Sequence, residues 1–246
     1  MSPATPRERL VACLARLVAG CRHVAVGNAS PIPAAAALLA RARSGGAMTL
    51  YVLGSRANNP YGDGARELFD SAGQGRLDAF FLGGGEIDGA GNVNLVAVGD
   101  HDRPAMRFPG SFGSAYLYFT VPRVILFREE HSRRVLVPRV SFVSAPGASP
   151  PGVYRRGGPS ALITGRCAFA FDRARGRFAL ESVHPGESAE SVRVATGFDF
   201  DCPARVPATP DPSPEELRLI RSRIASELAE TYPVFARKEW PAAASA

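Results

Sequence analysis

The chain has 246 residues, 46% of them hydrophobic and 21% charged, the balance of a globular protein long enough for an independent core. Its net charge is +6, yet of 29 basic residues only Lys238 is lysine, and no basic run is interleaved with aromatic side chains, so nucleic-acid binding is not expected. No apolar run reaches the roughly 18 residues of a membrane span, no basic-then-apolar leader opens the chain, and Cys13, Cys21, Cys167 and Cys202 form no C-x-x-C pair; a cytoplasmic protein with reduced thiols, no membrane association and no metal site is expected.

Thr5-Pro-Arg-Glu8 has the form of a capping box and predicts a helix through Leu10, Leu14, Leu17 and Val18 that stops at Gly20. Residues 23–27 read as a strand. Ser30-Pro31 opens a second helix, ended by Gly45-Gly46. Residues 48–53 form the next strand, followed by a loop rich in Asn, Pro and Gly (54–64), a short helix (65–72) and a buried apolar strand (79–82). This alternation predicts the α/β class: an open, mainly parallel sheet with flanking helices.

The second half reads as richer in strands, at 93–98, 121–127, 135–137, 140–144 and 161–164, then a hairpin of 167–171 and 178–183 across Asp172-Arg-Ala-Arg-Gly176. A loop dense in Pro and Gly spans 144–159, a helix 189–195 and a linker 203–212. Ser213-Pro-Glu-Glu216 is a second capping box, opening an amphipathic helix with Leu217, Ile220, Ile224 and Leu228 on one face. The tail from Trp240 is expected to fray. No repeat or boundary divides the sequence, so 1–246 is read as a single domain.

The most informative stretch runs from Ala79 to Gly99. A buried strand ends in Gly83, Gly84 and Gly85, and a second glycine cluster follows in Arg107-Phe-Pro-Gly-Ser-Phe-Gly-Ser114, with Gly110 and Gly113. Glycines at strand ends are common in turns, and they also let another molecule approach the main chain and its N–H groups. Residues 122–177 carry 11 basic and 3 acidic side chains, which suits either a solvated arginine-rich surface or an anionic ligand or partner.

The run Gly-Gly-Gly-Glu-Ile-Asp-x-x-Gly-Asn-x-Asn, then Gly99-Asp100 and Phe-Pro-Gly-Ser-x-Gly, resembles the β subunit of the class I coenzyme A transferases. The likeness is to the glutaconate CoA-transferase type, including relatives that hydrolyse ring-containing acyl-CoA intermediates of steroid breakdown. Phe142-Val-Ser-Ala-Pro-Gly147, Val183-His-Pro-Gly186, Ala195-Thr-Gly-Phe198 and Glu215-Glu-Leu-Arg-Leu-Ile220 follow in the same order. The resemblance implies a NagB/RpiA-like fold, a CoA-transferase α subunit as partner in a hetero-oligomer, an acyl-CoA thioester as substrate and no further cofactor. The reaction it implies is CoA transfer between carboxylic acids. The alternatives are an acyl-CoA hydrolase or ring-opening subunit whose carboxylate lies in the α subunit, and a non-catalytic scaffold.

Transferases of this type attack with a glutamate on a glycine-flanked turn after an early strand. Here that turn is Gly54-Ser55-Arg56-Ala57, and no carboxylate occurs between Glu8 and Asp63. Asp63, Glu67 or Glu86 could serve instead. Ser55 lacks a nucleophile elbow and a base and reads as a loop serine. Gly83, Gly84, Gly85, Gly110 and Gly113 are read as the acyl-CoA-binding residues; by resemblance the segment with Gly110 and Gly113 lies at the acyl-CoA site, with main-chain N–H groups available to a thioester oxygen. Glu86 either positions substrate or is a carboxylate held at a turn. His101, close after Gly99 and near the presumed cleft, is with Glu86 the candidate catalytic residue; His23, His131 and His184 are read as structural, and Asp88, Asn92 and Asn94 as turn residues.

Overall fold

The computed structural model describes residues 2–241. Their contacts define two compact units. One takes in the chain up to Phe81 and again from Pro210 onward, the other Leu82–Thr209.

The first unit begins with α1 (Pro6–Leu17), whose capping box is formed as expected: Thr5 Oγ1 accepts from the Glu8 N–H at 3.2 Å, and Glu8 accepts from the Thr5 N–H at 2.9 Å. Then come β1 (His23–Val26), α2 (Pro31–Arg43), β2 (Thr49–Val52), α3 (Gly64–Gly73) and β3 (Ala79–Leu82). β1 is central and pairs in parallel with both β2 and β3. The crossover helices this requires are the reason strand and helix alternate in the sequence. α1 and α2 pack on each other.

In the second unit, β4 (Glu86–Ile87) and β5 (Val93–Asn94) form one short antiparallel pair, and β6 (Ala97–Gly99) and β7 (Pro104–Arg107) form another. After α4 (Ser114–Thr120), β8 (Arg123–Arg128) pairs in parallel with β9 (Pro159–Thr164). β10 (Cys167–Asp172) and β11 (Arg177–Val183) add antiparallel neighbours, followed by α5 (Ala189–Ala195). The hairpin across 172–176 is as read, with Asp172 paired to Arg177 and its carboxylate accepting from the Ala174 and Arg175 N–H groups. Phe169 and Phe178 are fully buried among Phe171, Phe198 and Phe200.

The chain returns to the first unit in α6 (Pro214–Leu219), a π-helical turn at Ile220–Ile224, α7 (Ala225–Ala229) and α8 (Pro233–Glu239). Leu217, Ile220, Ile224 and Leu228 are all buried, as the amphipathic pattern required. The sheet class matches the expectation: helices flank a sheet whose core pairings are mostly parallel.

Several expectations are corrected. The strand at 93–98 is two, because the Asn94 side chain accepts from the Val96 and Ala97 N–H groups and donates to the Ala97 carbonyl, capturing groups a ladder would need. Residues 135–137 and 140–144 are not strands; Leu136 makes a single bridge to Ile87, and the residue after the second segment, Ala145, one to Val93. α4 and α8 were not anticipated. Trp240 is buried, with its indole N–H donating to Glu8 at 3.2 Å; residues 242–246 of the tail lie outside the described part.

Glu8 ties both ends of the first unit together. Its carboxylate takes Arg221 bidentately at 2.6 and 2.7 Å, as well as the Thr5 N–H and the Trp240 indole. Burial pushes its carboxyl up, and Arg221 with the other donors more than reverses this, holding it below the ordinary value. In the second unit His131 is buried. Its Nδ1 meets Thr164 Oγ1 at 2.8 Å and its Nε2 meets Thr196 Oγ1 at 3.0 Å. Burial, then the nearby Arg166 charge, lowers it to about 4.

Two outcomes are expected. Glu8→Ala leaves Arg221 only its Ser2 and Pro3 acceptors and lowers stability by about 2 kcal/mol in urea unfolding; a loss below about 1 kcal/mol would show that the pair is not what fastens the ends. For His131 the unfolded state binds the proton first, so the native state loses stability as pH falls from about 6.5 to about 4, by about 3 kcal/mol in total. His131→Asn should flatten the stability-against-pH curve in that window, and an unchanged slope contradicts the assignment.

Candidate functional site

The glycines after β3 sit in three different environments. Gly83 is exposed, and a β-carbon there would meet only the Phe127 carbonyl, at an ordinary 3.6 Å. Gly84 is buried, and its β-carbon would lie 2.6 Å from Val93 Cγ1. Gly85 lies under the Phe108 ring, which a β-carbon would strike. The expectation that all three bare the main chain to another molecule is therefore corrected at Gly84 and Gly85. The space they vacate is filled by the chain's own Val93 and Phe108, and the open α-carbon is that of Gly83.

Asn94 joins this turn to the second glycine cluster. Its carbonyl accepts from the Gly85 N–H at 2.8 Å, and its side-chain N–H groups donate to Glu86 at 2.7 Å and to the Ala97 carbonyl at 2.6 Å. The next two carbonyls hold the other cluster: Leu95 accepts from the Gly110 N–H at 3.1 Å and Val96 from the Phe108 N–H at 2.8 Å. Glu86 and Asn94 are register partners across β4 and β5. The buried Glu86 carboxylate also accepts the Ser141 N–H at 2.8 Å and the Ser141 hydroxyl at 3.0 Å. Three donors on an acceptor-only group satisfy it without a cation, which is what a buried carboxylate needs to be tolerated.

Gly110 has φ of +106° and open space where a β-carbon would stand. Gly113, φ +132°, precedes α4 and donates to the Ser111 carbonyl at 3.0 Å. Thus the N–H groups of Gly85, Gly110 and Gly113 are all taken by internal carbonyls. The expectation that they are free for a thioester oxygen is corrected; beside the α-carbons of Gly83 and Gly110 there is room for a β-carbon. His101 is exposed, stacked on Phe142 with ring centroids 5.7 Å apart, while its carbonyl accepts from Arg107. Because Phe142 follows Ser141, the His101 ring stands one residue along the chain from a Glu86 donor.

The other candidates divide plainly. Asp63 and Glu67 serve the start of α3, Glu67 accepting from the Asp63 N–H and Asp63 pairing with Arg66. Asp88 caps its own turn through the Ala90 and Asn92 N–H groups, as read. His184 is buried between Thr209 and the Thr164 carbonyl, and His23 meets the Tyr51 hydroxyl. Motif glycines Gly147 and Gly197 stand where a β-carbon would collide with the Ala90 and Leu136 carbonyls, so close main-chain approach explains both.

The turn after β2 is Gly54-Ser55-Arg56-Ala57. It has no carboxylate of its own, but Glu230 reaches it from the C-terminal end of α7. Ser55, read as a loop serine, is buried and donates to Glu230 at 2.6 Å. The signal available in the sequence was an acidic residue at the end of a helix, where the dipole disfavours it.

A sequence profile described as Coenzyme A transferase matches residues 7–195, and the chain belongs to this family. Among curated proteins it is similar to the β subunit of the 3-oxoadipate CoA-transferase of Pseudomonas knackmussii, with 30% identity over 154 residues, 60% of this chain and 59% of that one. It is also similar to the β subunit of the glutaconate CoA-transferase of Acidaminococcus fermentans, with 33% identity over 151 residues, 58% of this chain and 56% of that one. The matched part thus spans less than three fifths of each relative. Among solved structures, IpdAB of Rhodococcus jostii superposes with a TM-score of 0.78 at 26% identity, covering 89% of this chain and 94% of that one.

Packing of Phe108 into the Gly85 gap is tested by a double-mutant cycle. Gly85→Ala should cost about 1–3 kcal/mol by overpacking and about 1 kcal/mol less in a Phe108→Ala background. Additive effects would place the ring elsewhere.

Proposed function

We propose that this chain is the β subunit of a hetero-oligomeric CoA-transferase-family enzyme, acting with an α subunit on an acyl-CoA thioester and transferring CoA between carboxylic acids. The observation that carries the reading is the family match over residues 7–195, together with two bare α-carbons, Gly83 and Gly110, joined through the Asn94 carbonyl and its neighbour. Transfer is favoured over hydrolysis because both curated relatives described above bear the CoA-transferase description.

In this reading the chain supplies a wall without side chains, against which a flat thioester lies in van der Waals contact. The Glu86 carboxylate has its oxygens engaged by Asn94 and Ser141 and serves as a positioning group that keeps the wall in register. His101 stands at the exposed edge, where a ligand can reach it. The attacking carboxylate then comes from the α subunit. None of the four cysteines is in a disulfide, which suits the reducing setting in which CoA thioesters are handled.

Co-expression with an α-type subunit should give a complex that co-purifies and turns over an acyl-CoA. Gly83→Ala in that complex, at a position without a positive φ and with ordinary room for a β-carbon, should leave assembly intact and lower kcat/KM about tenfold, roughly 1.4 kcal/mol of transition-state stabilisation. The reading fails if the chains neither co-purify nor turn over any acyl-CoA.

A further inference from the structure

At the carboxyl ends of β1 and β2 the first unit holds a carboxylate that no step above uses. In open sheets of parallel strands this is the edge where ligands bind. The Glu230 carboxylate is met there by converging donors: the Ser55 hydroxyl at 2.6 Å, the Arg56 N–H at 2.8 Å, the Ala57 N–H, and the Thr231 hydroxyl at 2.6 Å. Burial is the largest single influence and raises its carboxyl, and these donors together more than reverse that, leaving it below its ordinary value.

The donors are themselves held in place. Ser55 is 5% exposed, and its oxygen accepts from the Asn58 N–H at 2.9 Å, which aims its own hydrogen at Glu230. Gly54, at φ +91°, lets the turn fold back between Asn28 and Thr231. Glu230, by contrast, is exposed and ends α7, where a negative charge opposes the helix dipole. The following Tyr232 hydroxyl accepts from the Ser30 N–H at 3.2 Å in the turn after β1. Residues 230–232 thus form a strap across the turns that follow both strands, with the Glu230 carboxylate held by the buried Ser55 hydroxyl and the exposed main chain of Arg56.

We propose that the turn 54–57 together with Thr231 is a carboxylate receptor, that Glu230 is its resident ligand, and that a small free monocarboxylate takes the same place when the strap's own carboxyl is removed. The receptor offers directed N–H and O–H donors, which a planar carboxylate satisfies with both oxygens and a chloride ion cannot. In the intact chain the tethered Glu230 holds the site at high effective concentration, so a free acid competes poorly.

The probe is sodium acetate, with sodium chloride at matched ionic strength, and the readout is thermal unfolding of the full chain. Glu230→Ala should lower the melting temperature, and acetate should restore it saturably, by roughly 2–4 °C, where chloride does not. The unsubstituted chain should need about tenfold more acetate for any comparable rise. Equal responses of Glu230→Ala to acetate and chloride would overturn the proposal. Should that variant fail to fold, the Glu230 carboxyl can be titrated by NMR in the intact chain: Ser55→Ala should move its midpoint to higher pH, and an unmoved midpoint would equally overturn it.

Discussion

A carboxylate taken out of water must be satisfied where it lies, and in the second unit that requirement falls on Glu86. Its oxygens take the Asn94 side-chain amide and both the N–H and the hydroxyl of Ser141, residues eight and fifty-five positions away in sequence. Leaving any of these unmade would strand a buried polar group at a cost of about 1–3 kcal/mol. The three segments are therefore fixed together. Asn94 transmits the constraint further, because its carbonyl holds Gly85 while the two residues after it hold Gly110 and Phe108. Two glycine clusters separated by some twenty-five residues become one surface through a single asparagine.

That surface differs in kind from a cradle of free amides. Gly84 and Gly85 are glycine because Val93 and Phe108 occupy the room their β-carbons would take, and the N–H groups of Gly85, Gly110 and Gly113 are spent on internal carbonyls. What remains for a ligand is contour, an open α-carbon at Gly83 and another at Gly110. Such a wall has no charge of its own to offer a reacting thioester. The first unit shows the opposite arrangement: at the turn after β2, amide and hydroxyl donors do converge, and the chain fills them with its own Glu230.

Most of the fold was legible where local rules and periodicity agree. Thr5 and Ser213 cap helices as their spacing predicts, the 172–176 turn closes a hairpin, and the stripe of Leu217, Ile220, Ile224 and Leu228 is buried. Strand–helix alternation gave the parallel part of the sheet. Legibility failed where a side chain overrode the backbone pattern. Asn94 split a strand that hydrophobicity alone made continuous, and a bond between Trp240 and Glu8, 232 positions apart, anchored a segment whose composition suggested fraying. For the site, the sequence located both glycine clusters and Glu86 but not what fills them. Phe108 over Gly85 and Glu230 on Ser55 are contacts between distant positions with no local signature, and a glycine reads the same whether a ligand or a phenylalanine takes its space.

The central claim is that Asn94 makes the two glycine clusters one structure, so that neither loosens alone. Amide hydrogen exchange read at single residues tests this in the intact chain and in Asn94→Ala. The account predicts that Gly85 and Gly110, both protected at the outset, lose protection together and by similar factors, although the substitution leaves the main-chain acceptors of both in place. Faster exchange at Gly85 with an unchanged rate at Gly110 would contradict it.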